Sequence, residues 1–335
     1  MILDGHAPAS IAHAARCLAE GGLVGLPTET VYGLAADAGQ AAAVAGIFAA
    51  KGRPSDHPLI VHVTGPEAVG AYVREVPPVA HRLMEAFWPG PLTLILPRRA
   101  GMAEAAAGGQ DSVGLRCPSH PVARALLAAC AALEPPVRGL AAPSANRFGR
   151  VSPTRASHVR DEFGDGLLVL DGGDCPVGIE SAIVDCTRGR PVLLRPGVLT
   201  FDQIQAACGE RLWRPQDMPD AAPRASGTLA SHYAPQAPVR LMDARALQAA
   251  LDVLGPGATD LGLAVWARAP LHVTAQGVRL RPMPADAAAA AHELFAALRD
   301  FDRPGTRLIW IEQPPADDPA WDGVRDRLQR AAADR

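Results

Sequence analysis

A chain of 335 residues is long enough for two domains of ordinary size, which excludes a disulfide-stapled mini-scaffold. With 20% charged residues, 48% hydrophobic residues and a formal net charge of −3, the composition excludes a disordered chain and gives no global support to electrostatic nucleic-acid binding. Neither part hides a basic domain: residues 1–224 hold 20 basic against 22 acidic side chains, and residues 225–335 hold 12 against 13.

In chain order, short apolar runs predict strands at Leu23–Leu26, Leu59–Val63, Leu92–Leu96, Val113–Arg116, Leu140–Ala142, Leu167–Leu170, Ala182–Val184 and Val192–Leu194. Between them, Ala-rich periodic segments predict helices at Ser10–Glu20, Gln40–Ala50, Pro78–Ala86, Pro121–Ala132 and Pro153–Glu162. Gly21-Gly22 closes the first helix, and Ser152-Pro153 reads as an N-cap followed by proline at the first helical position. This mixture gives an α/β domain with a mixed, twisted sheet over residues 1–213. A proline-rich stretch without regular period, 214–238, reads as a linker. Beyond it, strands Val239–Met242, Leu261–Trp266 and Arg307–Glu312 alternate with helices Ala244–Val253, Ala285–Phe301 and Pro319–Ala332, as in a small parallel-sheet domain over 239–335. His292-Glu293 opens like a zinc-protease helix, but position 296 is Ala.

Six scattered cysteines form no C-x-x-C pair and no zinc-finger spacing, so they read as buried reduced thiols. The N-terminus, Met1-Ile2-Leu3-Asp4, lacks a charged n-region and an apolar h-region, and no stretch approaches the length of a membrane span, so a cytoplasmic protein is expected.

One count stands out: of 32 basic residues only Lys51 is lysine. In a chain that uses arginine elsewhere, a surviving lysine points to a site too tight for a guanidinium. It is no P-loop lysine, because Gly52 follows where Ser or Thr is required. Pro54 keeps Arg53 out of the α region, so the helix should end near Lys51, and an extended 51–53 would turn both cations to one side, as suits a polyphosphate. The same cations would also merely complement a helix dipole. The segment Leu26–Leu34 packs hydroxyls and a carboxylate into a turn behind the first strand, where open sheets bind ligands, although Thr28 and Thr30 suit plain turn duty equally well. Pro143–Asn146 and Gly149–Thr154 offer hydroxyls, an amide and a helix start to an anion, and read also as an ordinary capping loop. Arg116 and Arg195 each close an apolar strand.

Seven segments in order, LPTETVYGL, KGRP with PLIVHV, WPGPLTLIL, SVGLRCP, APSAN, GIESAIVD and LLRPG, resemble the YrdC-like threonylcarbamoyl-AMP synthases. SGTLASHYAP and the α/β part after it resemble the long, two-domain form of that family, so the resemblance covers essentially the whole chain. It implies a mixed twisted sheet around a large cavity, with a smaller Rossmann-like C-terminal domain. It also implies a reaction of L-threonine, bicarbonate and ATP, with Mg²⁺ arriving on the nucleotide. The products are threonylcarbamoyl-AMP and pyrophosphate, the adenylate passing to a tRNA threonylcarbamoyl transferase that modifies adenosine-37. By motif, Lys51, Arg53, Ser144 and Asn146 match the family's K-x-R and S-x-N tetrad. Thr30, His62, Arg116, Ala142 and Ser181 match threonine positions, and His57, Ser112, Ser152 and Arg195 match nucleotide positions. His232 and Tyr233 lie in a stretch expected over the cavity mouth. Family members usually carry Asn at position 57 and Thr at 182, where this chain has His57 and Ala182. No resident metal site, stable nucleic-acid binding or membrane contact is expected. Two rival readings are an RNA-binding module, disfavoured by the charge balance, and a carbamoyl-phosphate-using transferase, whose usual acylphosphatase and zinc-finger parts are absent here.

Overall fold

The protein is described by a computed structural model covering residues 1–218, 224–229 and 231–333. These residues divide into a first unit, 1–148 with 152–228, and a second, 149–151 with 229–335.

The first unit is built on strands β1 (Ile2–Asp4), β2 (Val24–Leu26), β3 (Gly33–Asp37), β4 (Ile60–His62), β5 (Leu92–Pro97), β6 (Ser112–Arg116), β7 (Leu140–Ala141), β8 (Leu168–Asp171), β9 (Ala182–Asp185) and β10 (Val192–Arg195). They form one mixed sheet in the order β1-β8-β2-β3-β7-β4-β6-β5-β9-β10. Parallel pairs such as β4 with β6 alternate with antiparallel ones such as β2 with β3. Helices Pro8–Ala19 and Pro121–Ala131 bury Ile11, Leu18, Leu126 and Leu127 in one cluster. Helices Ala41–Lys51 and Pro78–Phe87 bury Val44, Ile47, Leu83 and Met84 in a larger one. Burial on both faces explains why the strands read as continuous apolar runs.

Several sequence expectations need correction. Strand β3, sequence GLAAD, lacks the β-branched residues that signal a strand, and it forms because both edges pair, with β2 and β7. The helix expected at Pro153 begins at Ala156, with Arg155 at the N-cap position. Pro153 and Thr154 precede the helix, their carbonyls accepting from Tyr32 N and Cys175 N. Residues 51–53 are not extended: Gly52 is left-handed (φ 61°), and the amides of Gly52 and Arg53 return to the carbonyls of Ala49 and Phe48 in a Schellman cap. Helix Phe201–Cys208 was not anticipated, although Thr200 and Gln203 form a capping box.

Part of the stretch read as linker, 219–223 and Ala230, lies outside the described residues. Arg224 within it is pinned to the first unit: its guanidinium meets Asp56 at 2.6 Å and the Gly108 carbonyl at 2.9 Å, and its backbone exchanges hydrogen bonds with the Gln110 amide.

In the second unit, β11 (Val239–Met242), β12 (Leu263–Ala267), β13 (Arg279–Pro282) and β14 (Leu308–Glu312) make an all-parallel sheet, order β11-β14-β12-β13. The exposed strand β13 was not anticipated. Tyr233 is buried there, its ring 5.3 Å from that of Phe295 with the Arg327 guanidinium 5.5 Å above it. His232 hydrogen-bonds through its amide to the Arg330 carbonyl. All six cysteines are free, five of them buried and Cys17 half-buried. Among the described residues, no helix is long and apolar enough to cross a membrane.

Candidate active site

The Schellman cap aims Lys51 inward, where it is 3% exposed. Its Nζ donates to the Ser144 carbonyl at 2.5 Å and to the Asn146 carbonyl. Burial and the neighbouring Arg53 charge pull the Lys51 pKa well below the ordinary lysine value, against the opposing pull of Glu162 and Glu180. The Arg53 guanidinium donates to the Pro58 carbonyl at 3.0 Å and lies 5.8 Å from the Phe148 ring centre. His57 meets the same ring edge-on at 5.4 Å, its pKa lowered by partial burial and by Arg53.

A second group forms where the β2–β3 turn meets the end of β6. Thr28 serves the turn, accepting from the amides of Thr30 and Val31. Thr30 has a different partner: its Oγ1 accepts from Arg116 Nη1 at 2.8 Å. Arg116 Nε reaches the Gly90 carbonyl at 3.3 Å, and Nη2 lies 2.8 Å from Glu29 Oε1. The other Glu29 oxygen accepts from the Ser119 amide at 3.1 Å. Burial pushes the Glu29 carboxyl up, but the Arg116 charge with the backbone amides outweighs it, so Glu29 titrates below its ordinary value. His62 is in register with Arg116 across β4 and β6. Burial, then the Arg116 charge, lowers its pKa to about 3, so the ring is neutral at working pH. Ala142 is tied beside it, its amide donating to the Ile60 carbonyl at 3.0 Å.

A third group joins β9 and β10. Ser181 Oγ shares a hydrogen bond with Thr93 Oγ1 at 2.8 Å and accepts from Arg195 Nη2 at 3.2 Å. Arg195 Nη1 donates to the Ser226 carbonyl at 2.8 Å. Ser152 Oγ lies 2.5 Å from Glu180 Oε1. Ser112, Thr93 and Ser226 line a small pocket with Ile60, Ile95 and Ile183. The first two groups are adjacent because the amides of Leu34 and Ala145 donate to the carbonyls of Pro143 and Tyr32.

The first unit thus brings together Lys51, Ser144 and Asn146, then Thr30 and Arg116, then Ser181 and Arg195. His232 and Tyr233 belong to the second unit. Sequence reasoning gave no role to Glu29, Glu180 or Thr93. For Glu29 the signal was a carboxylate between two threonines in a turn, and for Glu180 its place beside Ser181.

Comparison with known proteins gives the family. The Sua5/YciO/YrdC family model, described as telomere recombination, matches residues 16–197. This chain belongs to the Sua5/YciO/YrdC family. The model of the threonylcarbamoyl-AMP synthase C-terminal domain matches residues 199–333. The threonylcarbamoyl-AMP synthase of Bacillus subtilis is 36% identical over 331 residues, 97% of this chain and 93% of that protein. The synthase of Pyrococcus abyssi is 43% identical over 234 residues, 69% of this chain and 67% of that protein. The crystal structure of Pyrococcus abyssi Sua5 complexed with L-threonine superposes with a TM-score of 0.88 at 34% identity, covering 99% of this chain and 97% of that one.

Proposed function

We infer that this protein is a threonylcarbamoyl-AMP synthase, a nucleotidyltransferase that uses L-threonine, bicarbonate and ATP. The observation that carries the reading is the junction of two unlike groups along one pair of loops. Lys51 and Arg53 gather beside Ser144 and Asn146, while Arg116 gathers Thr30, Glu29 and His62. One group suits a polyphosphate and the other an amino acid. Whole-length similarity to relatives of that name supports the same assignment.

The chemistry needs no covalent enzyme intermediate. The threonine amine and bicarbonate give a carbamate with loss of water. A carbamate oxygen then bonds to the α-phosphorus of ATP as the bond to the pyrophosphate oxygen breaks. Two anions must approach each other, so the protein's task is to cancel charge and align the reactants. A triphosphate beside Lys51 favours its protonated form, opposing the depression caused by burial. In this assignment Arg53, Ser144, Asn146, Ser112, Ser152, His57 and Arg195 line the nucleotide. Thr30, His62, Arg116, Ala142 and Ser181 line threonine. His232 and Tyr233 are assigned to the nucleotide on the resemblance of their segment. Mg²⁺ would enter as MgATP, carried on phosphate oxygens. The product adenylate would pass to a tRNA threonylcarbamoyl transferase in the cytoplasm.

The test is incorporation of radiolabelled bicarbonate into an adenylate in the presence of ATP, across a panel of amino acids. Threonine-dependent label with matching pyrophosphate release is expected. Orthophosphate release, or label without threonine, overturns the reading.

A further inference from the structure

Glu180 lies in the loop that leads into β9, and its Oε1 accepts the Ser152 hydroxyl proton across 2.5 Å. Both side chains are buried. Linked backbone contacts tie Ser152 to the Lys51 group: the carbonyl of Pro153 takes the Tyr32 amide, the carbonyl of Tyr32 takes the Ala145 amide, and the Ser144 and Asn146 carbonyls on either side hold Lys51 Nζ. The Glu180 charge is felt at Lys51 as well, where it opposes the effect of burial. A hydroxyl owns one proton and two lone pairs, and a carboxylate only accepts. With its proton given to Glu180, Ser152 Oγ can meet any further partner only as an acceptor. The ionised oxygens of a phosphate are acceptors too. A phosphate brought to Ser152 would find no proton there, and it would face the Glu180 carboxylate at short range in a poorly hydrated setting, where like charges repel strongly.

We propose that Glu180 is a positioning residue that fixes the Ser152 hydroxyl as an acceptor for an N–H or O–H group of the nucleoside, leaving the triphosphate to Lys51 and Arg53. The proposal rests on reading Ser152 as a nucleotide position. Adenosine carries such donors in its ribose hydroxyls and its exocyclic amine, two sources of one chemistry. Lys51 and Arg53 attract the triphosphate while Glu180 repels it, so the signs of these charges favour one direction of ATP in the site. Glu180 itself need not touch the nucleotide, because it acts through the proton it takes from Ser152.

The experiment is calorimetric titration of the full-length protein with ATP and with inorganic tripolyphosphate, which is the charged end of ATP without its nucleoside. Wild type, Ser152→Ala, Glu180→Ala and the double variant are compared, with circular dichroism as the control of folding. The ratio of ATP affinity to tripolyphosphate affinity is expected to fall by about fivefold or more in each single variant, as the loss of one hydrogen bond implies, and to fall no further in the double variant than in Ser152→Ala. A damaged fold would weaken both ligands together and leave the ratio unmoved, so an unmoved ratio overturns the proposal. Additive losses in the double variant overturn it equally, since Glu180 would then act apart from Ser152. If Glu180→Ala does not fold, Glu180→Asp is read instead: the shorter carboxylate no longer reaches Ser152, the ratio should fall severalfold, and a wild-type ratio overturns the proposal. Titrations with 2′-deoxy-ATP, 3′-deoxy-ATP and ITP separate ribose from base. The analogue without the donor should bind wild type more weakly than ATP does and lose nothing more in Ser152→Ala; if all three lose as much as ATP there, no nucleoside donor meets Ser152 and the proposal falls. The underlying reading fails separately. If wild type binds no ATP, or if Ser152→Ala leaves both affinities unchanged, the site assignment itself is wrong; if Ser152→Ala lowers the ratio while Glu180→Ala does not, only the role of Glu180 falls.

Discussion

Lys51 Nζ sits 2.5 Å from the Ser144 carbonyl oxygen, so the only lysine of the chain ties the end of one helix to the loop after β7. An ammonium can turn its three N–H groups toward two carbonyls and an incoming phosphate from one position, whereas a guanidinium projects a planar fork further out.

Lys51→Arg is therefore expected to lower threonine-dependent pyrophosphate release by at least tenfold, and up to a hundredfold, in line with the roughly 1.5–3 kcal/mol of a charge-assisted hydrogen bond. Steady-state kinetics beside a thermal melt check this. Near wild-type turnover would show that the surviving lysine has no bearing on the reaction.

Stability should fall on mild acidification because of His62. Its folded pKa of about 3 lies below the roughly 6.5 of an unfolded histidine, so between those values the unfolded chain binds the extra proton. Stability from this residue is thus intact above about pH 6.5 and declines by up to about 1.4 kcal/mol per pH unit below it. Urea titrations of the ligand-free protein from pH 7 to 5 should show a flatter slope for His62→Gln than for wild type. Parallel slopes would contradict the neutral, buried ring.

Threonine should be preferred over serine only modestly, since one methyl group in a pocket is worth about 1–3 kcal/mol. Valine should be rejected more strongly, because a buried partner of the threonine hydroxyl would be left unsatisfied. Comparison of kcat/KM for the three amino acids decides this, and equal values for threonine and valine would remove the hydroxyl contact.

The segment 224–228 carries the Ser226 carbonyl to Arg195, and its anchors are the exposed Arg224–Asp56 pair and the Gln110–Arg224 exchange. An exposed ion pair contributes about 0–1 kcal/mol, so Arg224→Ala combined with Gln110→Ala should shift the melting temperature little. It should nevertheless lower turnover by about three- to tenfold if holding Arg195 matters to the nucleotide, through lost preorganisation worth about 1 kcal/mol. Turnover equal to wild type would show that the anchors are structural ornament on an independent site.

The sheet was legible where its strands form apolar runs of some length, and β4, β5 and β6 lie close to their predicted bounds, whereas the three-residue edge strand β1 was not anticipated. It was illegible at β3, where Gly33, Ala35 and Ala36 have no intrinsic strand preference and the partners across both edges decide the conformation. Ser152 does not start the helix for a related reason: serine before proline is a sound local helix start, but the carbonyls of Pro153 and Thr154 are taken by the amides of distant Tyr32 and Cys175. Among site residues, Lys51 was legible from rarity. Glu29 was not, because a turn carboxylate has meaning only once Arg116, far away in sequence, is brought to it.

The second unit is assembled from two separate stretches of chain. Gly149 accepts a hydrogen bond from the Ala234 amide, and Val151 accepts one from Arg299. During vectorial synthesis, then, residues 149–151 emerge more than eighty positions before Ala234, ahead of the rest of their unit. A gene fragment beginning at Leu229 would therefore encode the second unit with a piece missing.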